Sequence, residues 1–334
     1  SSRYSSSSSS SGSVLPMSPT DLSPWTLCAL ATINFVGMFG CATTGFGENI
    51  VFQLGWYCMS LVGLSSGSLT DSVMILTVIM GPLSAAQAFL QRRYVNIAMA
   101  ATLASASSLA TSCGAAILVQ SDGVELKRWL GALLLAVFLW RAVLEGYYEQ
   151  RQQETPPTSY IVCTWGGLLP LVLCGLLSGL LGGLFSIPGP PNMVFVLAAR
   201  VGKDEWRSTQ AVAGMVQLLV RFAALLTVPG SPTGHLLRLW PECAVSLIFG
   251  FFGLLLGHKM AVWVPEAGFR RAVLLLLLSA GLTLSTAGFD KLVTTVVIVA
   301  TLVPGCIFCC CSAAFSLRAS QASIGDYASL PRGK

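Results

Sequence analysis

The chain has 334 residues, of which 54% are hydrophobic and only 10% are charged, and its formal net charge is +5. A mean hydropathy of +0.73 excludes a soluble domain, whose surface requires many more charged side chains. The basic residues lie mostly between apolar runs, where membrane topology explains them, so the charge does not indicate nucleic-acid binding. We therefore predict an all-α polytopic membrane protein, because every backbone group needs a partner in lipid and the alternation of a β-barrel is missing.

The chain divides by composition into six segments. They are a disordered Ser-rich leader, a first membrane repeat, an inter-repeat linker, a second membrane repeat, an extra transmembrane helix and a polar tail, at 1–24, 25–148, 149–158, 159–288, 289–312 and 313–334. Nine apolar runs approach or exceed the roughly 20 residues that a helix needs to cross a bilayer, at 25–46, 70–91, 94–119, 126–148, 159–185, 206–228, 239–263, 268–288 and 292–312. Two shorter runs, 50–63 and 193–200, are predicted as half-helices that start near the middle of the membrane.

A motif recurs in the two halves at a constant offset. Residues 45–54 read Gly-Phe-Gly-Glu-Asn-Ile-Val-Phe-Gln-Leu, and residues 188–197 read Pro-Gly-Pro-Pro-Asn-Met-Val-Phe-Val-Leu. Asn49 and Asn192 differ in position by 192 − 49 = 143, and the same offset relates further glycines and a basic pair. Two homologous halves with a Gly- or Pro-broken segment at the same place are typical of secondary transporters.

The paired motif is the predicted substrate-binding site. Glycines in the first copy permit unusual backbone conformations, and prolines in the second copy break regular helix. Asn49 and Asn192 are predicted to cap the short helices that follow, whose N-termini would present N–H donors to an anion without any lysine or arginine. The alternative is that the glycines and prolines only allow helices to pack or kink. The candidate residues of the motif are Gly45, Gly47, Glu48, Asn49, Pro188, Gly189, Pro190, Pro191 and Asn192.

Glu48 is the only carboxylate within either copy of the motif. An ionisable group inside an apolar run is costly unless it faces a cavity or a partner. One interpretation is that Glu48 couples protons to anion movement, because its protonation would cancel its repulsion of an anion. The other is that it is solvated, or that it only stabilises the N-terminus of the next helix.

Arg221 and Gln217 lie one turn apart on one face of the apolar run 206–228. We predict that both contact the substrate, and Arg221 is a candidate either for anion binding or for pairing with a carboxylate such as Glu48. The alternative is that Arg221 extends from a helix end to the membrane surface. Gln87 and Gln210 are weaker polar candidates.

The sequence lacks enzyme motifs such as a Walker loop, a His-Glu-x-x-His pair or a nucleophile elbow. We therefore predict a protein that is not an enzyme, with no metal and no cofactor, since its two histidines have no acidic neighbours. A cysteine cluster ends the last apolar run, and three interpretations stay open for it: lipid-facing thiols, palmitoylation or, least favoured, metal binding. The cluster is Cys306, Cys309, Cys310 and Cys311.

Two stretches of the second half resemble a known family. Residues 175–197 read Gly-Leu-Leu-Ser-Gly-Leu-Leu-Gly-Gly-Leu-Phe-Ser-Ile-Pro-Gly-Pro-Pro-Asn-Met-Val-Phe-Val-Leu, and the Gly-rich residues 250–260 precede the basic pair Arg270-Arg271. Both are similar to conserved blocks of the TauE/SafE family of membrane anion exporters, and the resemblance covers about 25–288. It implies a secondary transporter that moves sulfite, organosulfonates or similar small anions across a bilayer. The alternative is a non-transporting scaffold or receptor with the transporter fold, because Gly-Glu-Asn and Gly-Pro-Pro-Asn replace the family's three-glycine core.

Overall fold

The structure, a computed structural model, is all-helical wherever it describes the chain, which confirms the predicted fold class. The described residues are 23–44, 47–65, 68–121, 123–152, 165–199, 201–227, 239–260 and 266–286. Their helices are α1 (Pro24–Thr44), α2 (Glu48–Leu61), α3 (Leu69–Leu90), α4 (Ile97–Gln120), α5 (Gly123–Gln152), α6 (Trp165–Phe185), α7 (Gly189–Ala199), α8 (Lys203–Thr227), α9 (Trp240–Met260) and α10 (Glu266–Ser285). A short 3₁₀ turn, Arg92–Tyr94, joins α3 to α4.

Six of the described helices, α1, α3, α4, α6, α8 and α9, are long and apolar enough to cross a membrane. The protein is therefore an integral multi-pass membrane protein, as predicted. The predicted run 126–148 lies on α5, and residues 268–285 of the run 268–288 lie on α10. The extra transmembrane helix, the polar tail and almost all of the leader lie outside the described residues, as does the four-cysteine cluster.

The first residues of the predicted linker are helical. Residues 149–152 belong to α5, which continues to Gln152, and the rest of 149–158 lies outside the described residues. The helix extends into the polar stretch because Glu, Gln and Arg are good helix formers and the first helix breaker, Pro156, comes later.

Glycines bring two pairs of helices into close contact. α4 packs along α6, and α1 packs along α9. On α6 a glycine every fourth residue faces the backbone of α4, and on α9 two glycines four residues apart face the backbone of α1. These glycines are Gly175, Gly179 and Gly183 on α6 and Gly253 and Gly257 on α9. Small residues at this spacing are the usual means by which membrane helices approach closely.

The remaining helices surround the two interruptions of the chain. α2 follows α1 and packs on it and on α3, whereas α7 follows α6 and packs on it and on α5. α8 packs against both α3 and α4, and α5 packs against α10. α2 is anchored by large buried side chains, among which the rings of Phe52 and Trp56 stack with centroids 6.0 Å apart. The start of α2, the break after α6 and one face of α8 are thereby held around a common interior space.

We predict that Gly179→Ala lowers the stability of the protein by about 1–3 kcal/mol, the usual cost of overpacking. A Cβ at Gly179 would meet the carbonyl oxygen of Ser107 on α4, and backbone atoms cannot move aside cheaply. The matched control is Gly81→Ala on α3, where a Cβ meets no atom within 4 Å. The midpoint of thermal aggregation in detergent measures both variants, and an equal effect of the two substitutions would show that close packing at Gly179 is unimportant.

Candidate functional site

The first interruption of the chain lies between α1 and α2. Gly47 precedes α2 with φ +107°, a left-handed conformation that other residues adopt only with strain. Because Gly47 turns the chain sharply, α2 begins at Glu48, and Asn49 is its second residue. The prediction that Asn49 caps this helix is therefore wrong: Gly47 is the cap residue and makes no side-chain capping bond. The other predicted glycine, Gly45, lies outside the described residues.

The second interruption lies between α6 and α7, at Ser186–Pro188. α7 begins at Gly189, so Pro190 and Pro191 lie in its first turn and Asn192 is its fourth residue. Proline fits the first turn because backbone N–H groups there have no partner within the helix. The expectation that these two prolines break the helix is thus wrong, and so is the prediction that Asn192 is an N-cap.

A cavity of about 50 Å³ lies where the two interruptions meet. A single water needs a cavity of about 10–15 Å³, so this cavity has room for a few waters or one compact anion. Its lining combines polar residues from both halves of the chain with a few apolar ones. The lining residues are Cys41, Glu48, Asn49, Met80, Ser84, Gln87, Ser186, Pro188, Arg207, Gln210, Ala211, Gly214, Gln217, Leu218 and Arg221.

α8 contributes the longest polar row to this lining. Arg207, Gln210, Gly214, Gln217 and Arg221 recur at intervals of three and four residues, which places them along one face of a helix. Both arginines are almost fully buried, with exposed fractions of 4% and 3%. Buried arginines require partners, and backbone carbonyls of other helices supply them.

Arg221 and Gln217 attach α8 to the end of α6. Nη1 of Arg221 donates to the carbonyl oxygen of Gly182 at 2.7 Å. Nε2 of Gln217 donates to Oγ1 of Thr111 at 3.2 Å and to the carbonyl oxygen of Ser178 at 3.3 Å. No ion pair joins Arg221 to Glu48 among the residues that the structure describes, so that alternative for Arg221 is not realised here.

Arg207 attaches α8 to the end of α1. Its Nη2 donates to the carbonyl oxygen of Ala42, and its Nη1 lies 3.5 Å from Oδ1 of Asp204 in the preceding turn. The side chain of Asp204 is 63% exposed, whereas that of Arg207 is 5% exposed. Arg207 is therefore buried, whereas its acidic partner lies at the protein surface.

The first motif faces the arginines across the cavity. Nδ2 of Asn49 donates to Oε1 of Glu48 at 3.0 Å. The thiol of Cys41 lies beside the Glu48 carboxyl and within 3.7 Å of Oε1 of Gln87 on α3. Gln53, one turn further along α2, donates to the carbonyl oxygen of Phe185 at 3.1 Å and so connects the first motif to the end of α6.

Most of the second motif does not line the cavity but contacts residues that do. Nδ2 of Asn192 donates to Oε1 of Gln210 at 3.1 Å, and the thiol of Cys174 lies 3.1 Å from Oδ1 of Asn192. Oγ of Ser178 donates to the carbonyl oxygen of Pro188 at 3.0 Å. Asn192 is thus buried and positions Gln210 without lining the cavity itself.

Five buried polar atoms of the cavity-lining residues have no hydrogen-bond partner among the residues that the structure describes. They are Oε2 of Glu48, Oδ1 of Asn49, Oγ of Ser186, Nε of Arg207 and Nε of Arg221. A buried polar group without a partner costs about 1–3 kcal/mol, so native proteins contain few of them. Their concentration around one cavity is characteristic of a site that receives a polar ligand.

The family profile described as "Sulfite exporter TauE/SafE" matches residues 29–284, well over half of the chain. The chain belongs to the TauE/SafE family. Among curated proteins it is similar to the "Probable inner membrane transporter protein TsaS" of Comamonas testosteroni, with 32% identity over 111 residues. That match covers 33% of this chain and 44% of TsaS, so the chain spans less than half the length of this relative. No solved structure matches the chain significantly.

Within this TauE/SafE protein, the predicted residues fall into two groups. Those that line the cavity are Glu48, Asn49, Pro188, Gln217 and Arg221, together with the weaker candidates Gln87 and Gln210. Those that the structure describes away from the lining are Gly47, Gly189, Pro190, Pro191 and Asn192. The role of each in binding stays a prediction, but the two copies of the motif do come together.

Arg207 and Ser186 are the principal residues that the sequence interpretation missed. The paired motif that was predicted to bind the anion contains no arginine or lysine, whereas two guanidinium groups line the cavity. The three- and four-residue spacing of the polar row on α8 is the signal that identifies Arg207. Ser186 has φ 63°, a conformation that no pattern in the sequence announces.

We predict that Ser186→Gly is more stable than Ser186→Ala by about 1 kcal/mol, because a left-handed conformation strains any residue with a Cβ. Both variants lack the hydroxyl group, so loss of the hydroxyl does not contribute to their difference. The shift in thermal midpoint between the two purified proteins measures it. Equal midpoints would mean that the turn at Ser186 relaxes without cost.

Proposed function

We propose that this protein is a secondary transporter for small anions such as sulfite or organosulfonates, and that the cavity is its substrate site. One observation carries the proposal: two buried guanidinium groups, each with an unpartnered Nε, face the same cavity as a single carboxylate. Guanidinium groups are the side chains best suited to bind planar or tetrahedral oxyanions, because they donate several hydrogen bonds in a fixed geometry.

The size of the cavity supports a compact substrate. A space of about 50 Å³ accommodates a small oxyanion, whereas a long organic tail requires the bundle to open further. The serine, asparagine and glutamine side chains around the arginines add hydrogen-bonding groups that suit an oxyanion. Family membership and the similarity to TsaS support transport but do not name this chain's substrate.

We propose in addition that the two halves arose by duplication and that they move relative to each other in alternating access. The helix contacts support this proposal. When α1–α5 are matched in order with α6–α10, the α1–α9 contact corresponds to the α6–α4 contact, and the α3–α9 contact corresponds to the α8–α4 contact. The substrate cavity lies between the two sets, where relative movement changes access to it.

The alternative function, a scaffold or receptor that retains the transporter fold, has less support. A bundle without transport has no need for an interior polar cavity, and packing would favour apolar side chains there. The buried arginines, the carboxylate and the unpartnered polar atoms support a transported ligand instead.

We predict that Arg221→Gln weakens anion binding at least about tenfold, because one charge-assisted hydrogen bond contributes roughly 1.5–3 kcal/mol. The matched control is Arg93→Gln, which removes the same charge from an exposed position outside the cavity. Sulfite uptake into proteoliposomes, with size-exclusion profiles to verify folding, measures both variants. The proposed function would be contradicted if proteoliposomes with the wild-type protein took up no sulfite or sulfonate. It would also be contradicted if the Arg221→Gln protein were as active as wild type.

We propose finally that Glu48 couples proton movement to anion movement. Its ionised carboxylate faces the cavity and repels an anion, so protonation favours loading. The titratable or charged side chains that share this cavity with Glu48 are Cys41, Arg207 and Arg221. The Asn49 amide that donates to Glu48 remains a partner for the neutral side chain.

We predict that Glu48→Gln keeps anion binding at least as strong as in wild type but abolishes the increase of transport as the pH falls. The test anion is methanesulfonate, since its charge stays constant from acidic to neutral pH whereas that of sulfite does not. Initial rates of uptake into proteoliposomes across that range measure the effect. An unchanged pH profile in Glu48→Gln would show that Glu48 has only a structural role.

A further inference from the structure

Arg207 connects the cavity to the protein surface. Its guanidinium is fixed on one side by the carbonyl oxygen of Ala42, and on the other it lies 3.5 Å from the exposed carboxylate of Asp204. Arg207 lines the cavity, and its buried Nε has no partner in the described part of the chain. One guanidinium group therefore contacts an anion at the surface and presents a further donor to the interior.

Arg207 and Arg221 are at different depths. They are 221 − 207 = 14 residues apart on α8, which corresponds to about 21 Å along the helix axis. Gly214 lies between them on the cavity face, and a Cβ at that position would meet no atom within 4 Å. The helix thus has polar side chains and open space at Gly214 between the outer arginine and the inner one.

We propose that Arg207 forms an outer anion-binding subsite, which the Asp204 carboxylate occupies in this structure, and that an entering oxyanion replaces Asp204 before it reaches Arg221. This proposal rests on the proposed transport of small anions. A carboxylate and an oxyanion bind the same face of a guanidinium group, so Asp204 acts as an internal competitor of the substrate. The bond to Ala42 keeps the guanidinium in place during the exchange.

The exchange is feasible because the existing ion pair is weak. A distance of 3.5 Å is long for a charge-assisted hydrogen bond, and an exposed partner is well solvated. Asp204 also lies in the first turn of α8, where the helix dipole stabilises a negative charge without any need for Arg207. Asp204 can therefore release Arg207 at little cost.

The test compares substitutions at the two ends of the ion pair in full-length protein reconstituted into liposomes. We expect Asp204→Asn to lower the KM for sulfite about two- to fivefold, the range that follows from the strength of an exposed ion pair. Arg207→Gln is expected to raise the KM about tenfold or more, and Arg207→Lys to recover part of the loss. Asp71→Asn, which removes an acidic residue from the first turn of α3, is the matched control and should leave the KM unchanged.

The opposite directions of the expected changes in KM distinguish the subsite from a structural role. If the pair merely anchors the start of α8, both Asp204→Asn and Arg207→Gln loosen the same contact and impair the protein in the same direction. Changes of the KM in the same direction in both variants would overturn the subsite.

A second measurement does not depend on transport. Cys41 lines the same cavity, so its rate of modification by a charged maleimide reports access to the interior. With sulfate as the probe anion, we expect protection of Cys41 in wild type, stronger protection in Asp204→Asn and none in Arg207→Gln. Cys41→Ser identifies the labelled position among the 11 cysteines.

The two measurements separate the two hypotheses. If the vesicles show no anion flux but Cys41 is protected most in Asp204→Asn, less in wild type and not at all in Arg207→Gln, the transport function is contradicted and the outer subsite is supported. Normal flux with equal protection in all variants would support transport and exclude the subsite.

Discussion

The interruption of two membrane helices is the constraint on which the rest of the site depends. The carbonyl groups at the ends of α1 and α6 lose some of the partners that a continuous helix would supply, and an apolar bundle offers little water to replace them. Side chains from other helices donate to three of these carbonyl groups: Arg207 to Ala42, Arg221 to Gly182 and Gln53 to Phe185. The Gly182 carbonyl also accepts from the N–H of Ser186, so Arg221 is its second donor. The buried arginines therefore bind the ends of the interrupted helices, and their remaining donors face the cavity.

Each buried arginine both binds a helix end and lines the cavity, so its substitution affects folding and binding together. A guanidinium group carries several N–H donors, and one carbonyl oxygen occupies only part of them. Each arginine can hold a helix end with Nη and still present Nε to a ligand. The same group thus stabilises the interrupted fold and gives the interior its positive charge.

The sequence predicted the helical class, the two interruptions and their meeting because hydropathy and glycine or proline breaks are local signals. It failed at the helix starts, because α2 begins two residues and α7 four residues earlier than the predicted asparagine caps imply. Arg207 was missed because it lies close to the polar start of α8, where a basic residue normally indicates the membrane surface. Its role depends on a carbonyl 165 positions away in the chain, a contact that no local pattern encodes.

The proposed duplication accounts for the scaffold but not for the charges. At the offset of 143, Glu48 corresponds to Pro191, Arg207 to Leu64 and Arg221 to Val78. Each half therefore contributes an interrupted helix, whereas the carboxylate comes from the first half alone and both arginines come from the second.

The charge balance of the cavity connects proton and anion in the proposed mechanism. With Glu48 ionised, the carboxylate and the two guanidinium groups leave one positive charge around the cavity. With Glu48 protonated, two positive charges remain, and they attract an anion more strongly. Since a net charge buried in low dielectric is unfavourable, the protonated site gains more from a bound anion than the ionised site does. In the proposed mechanism, a proton on Glu48 and an anion in the cavity therefore stabilise each other.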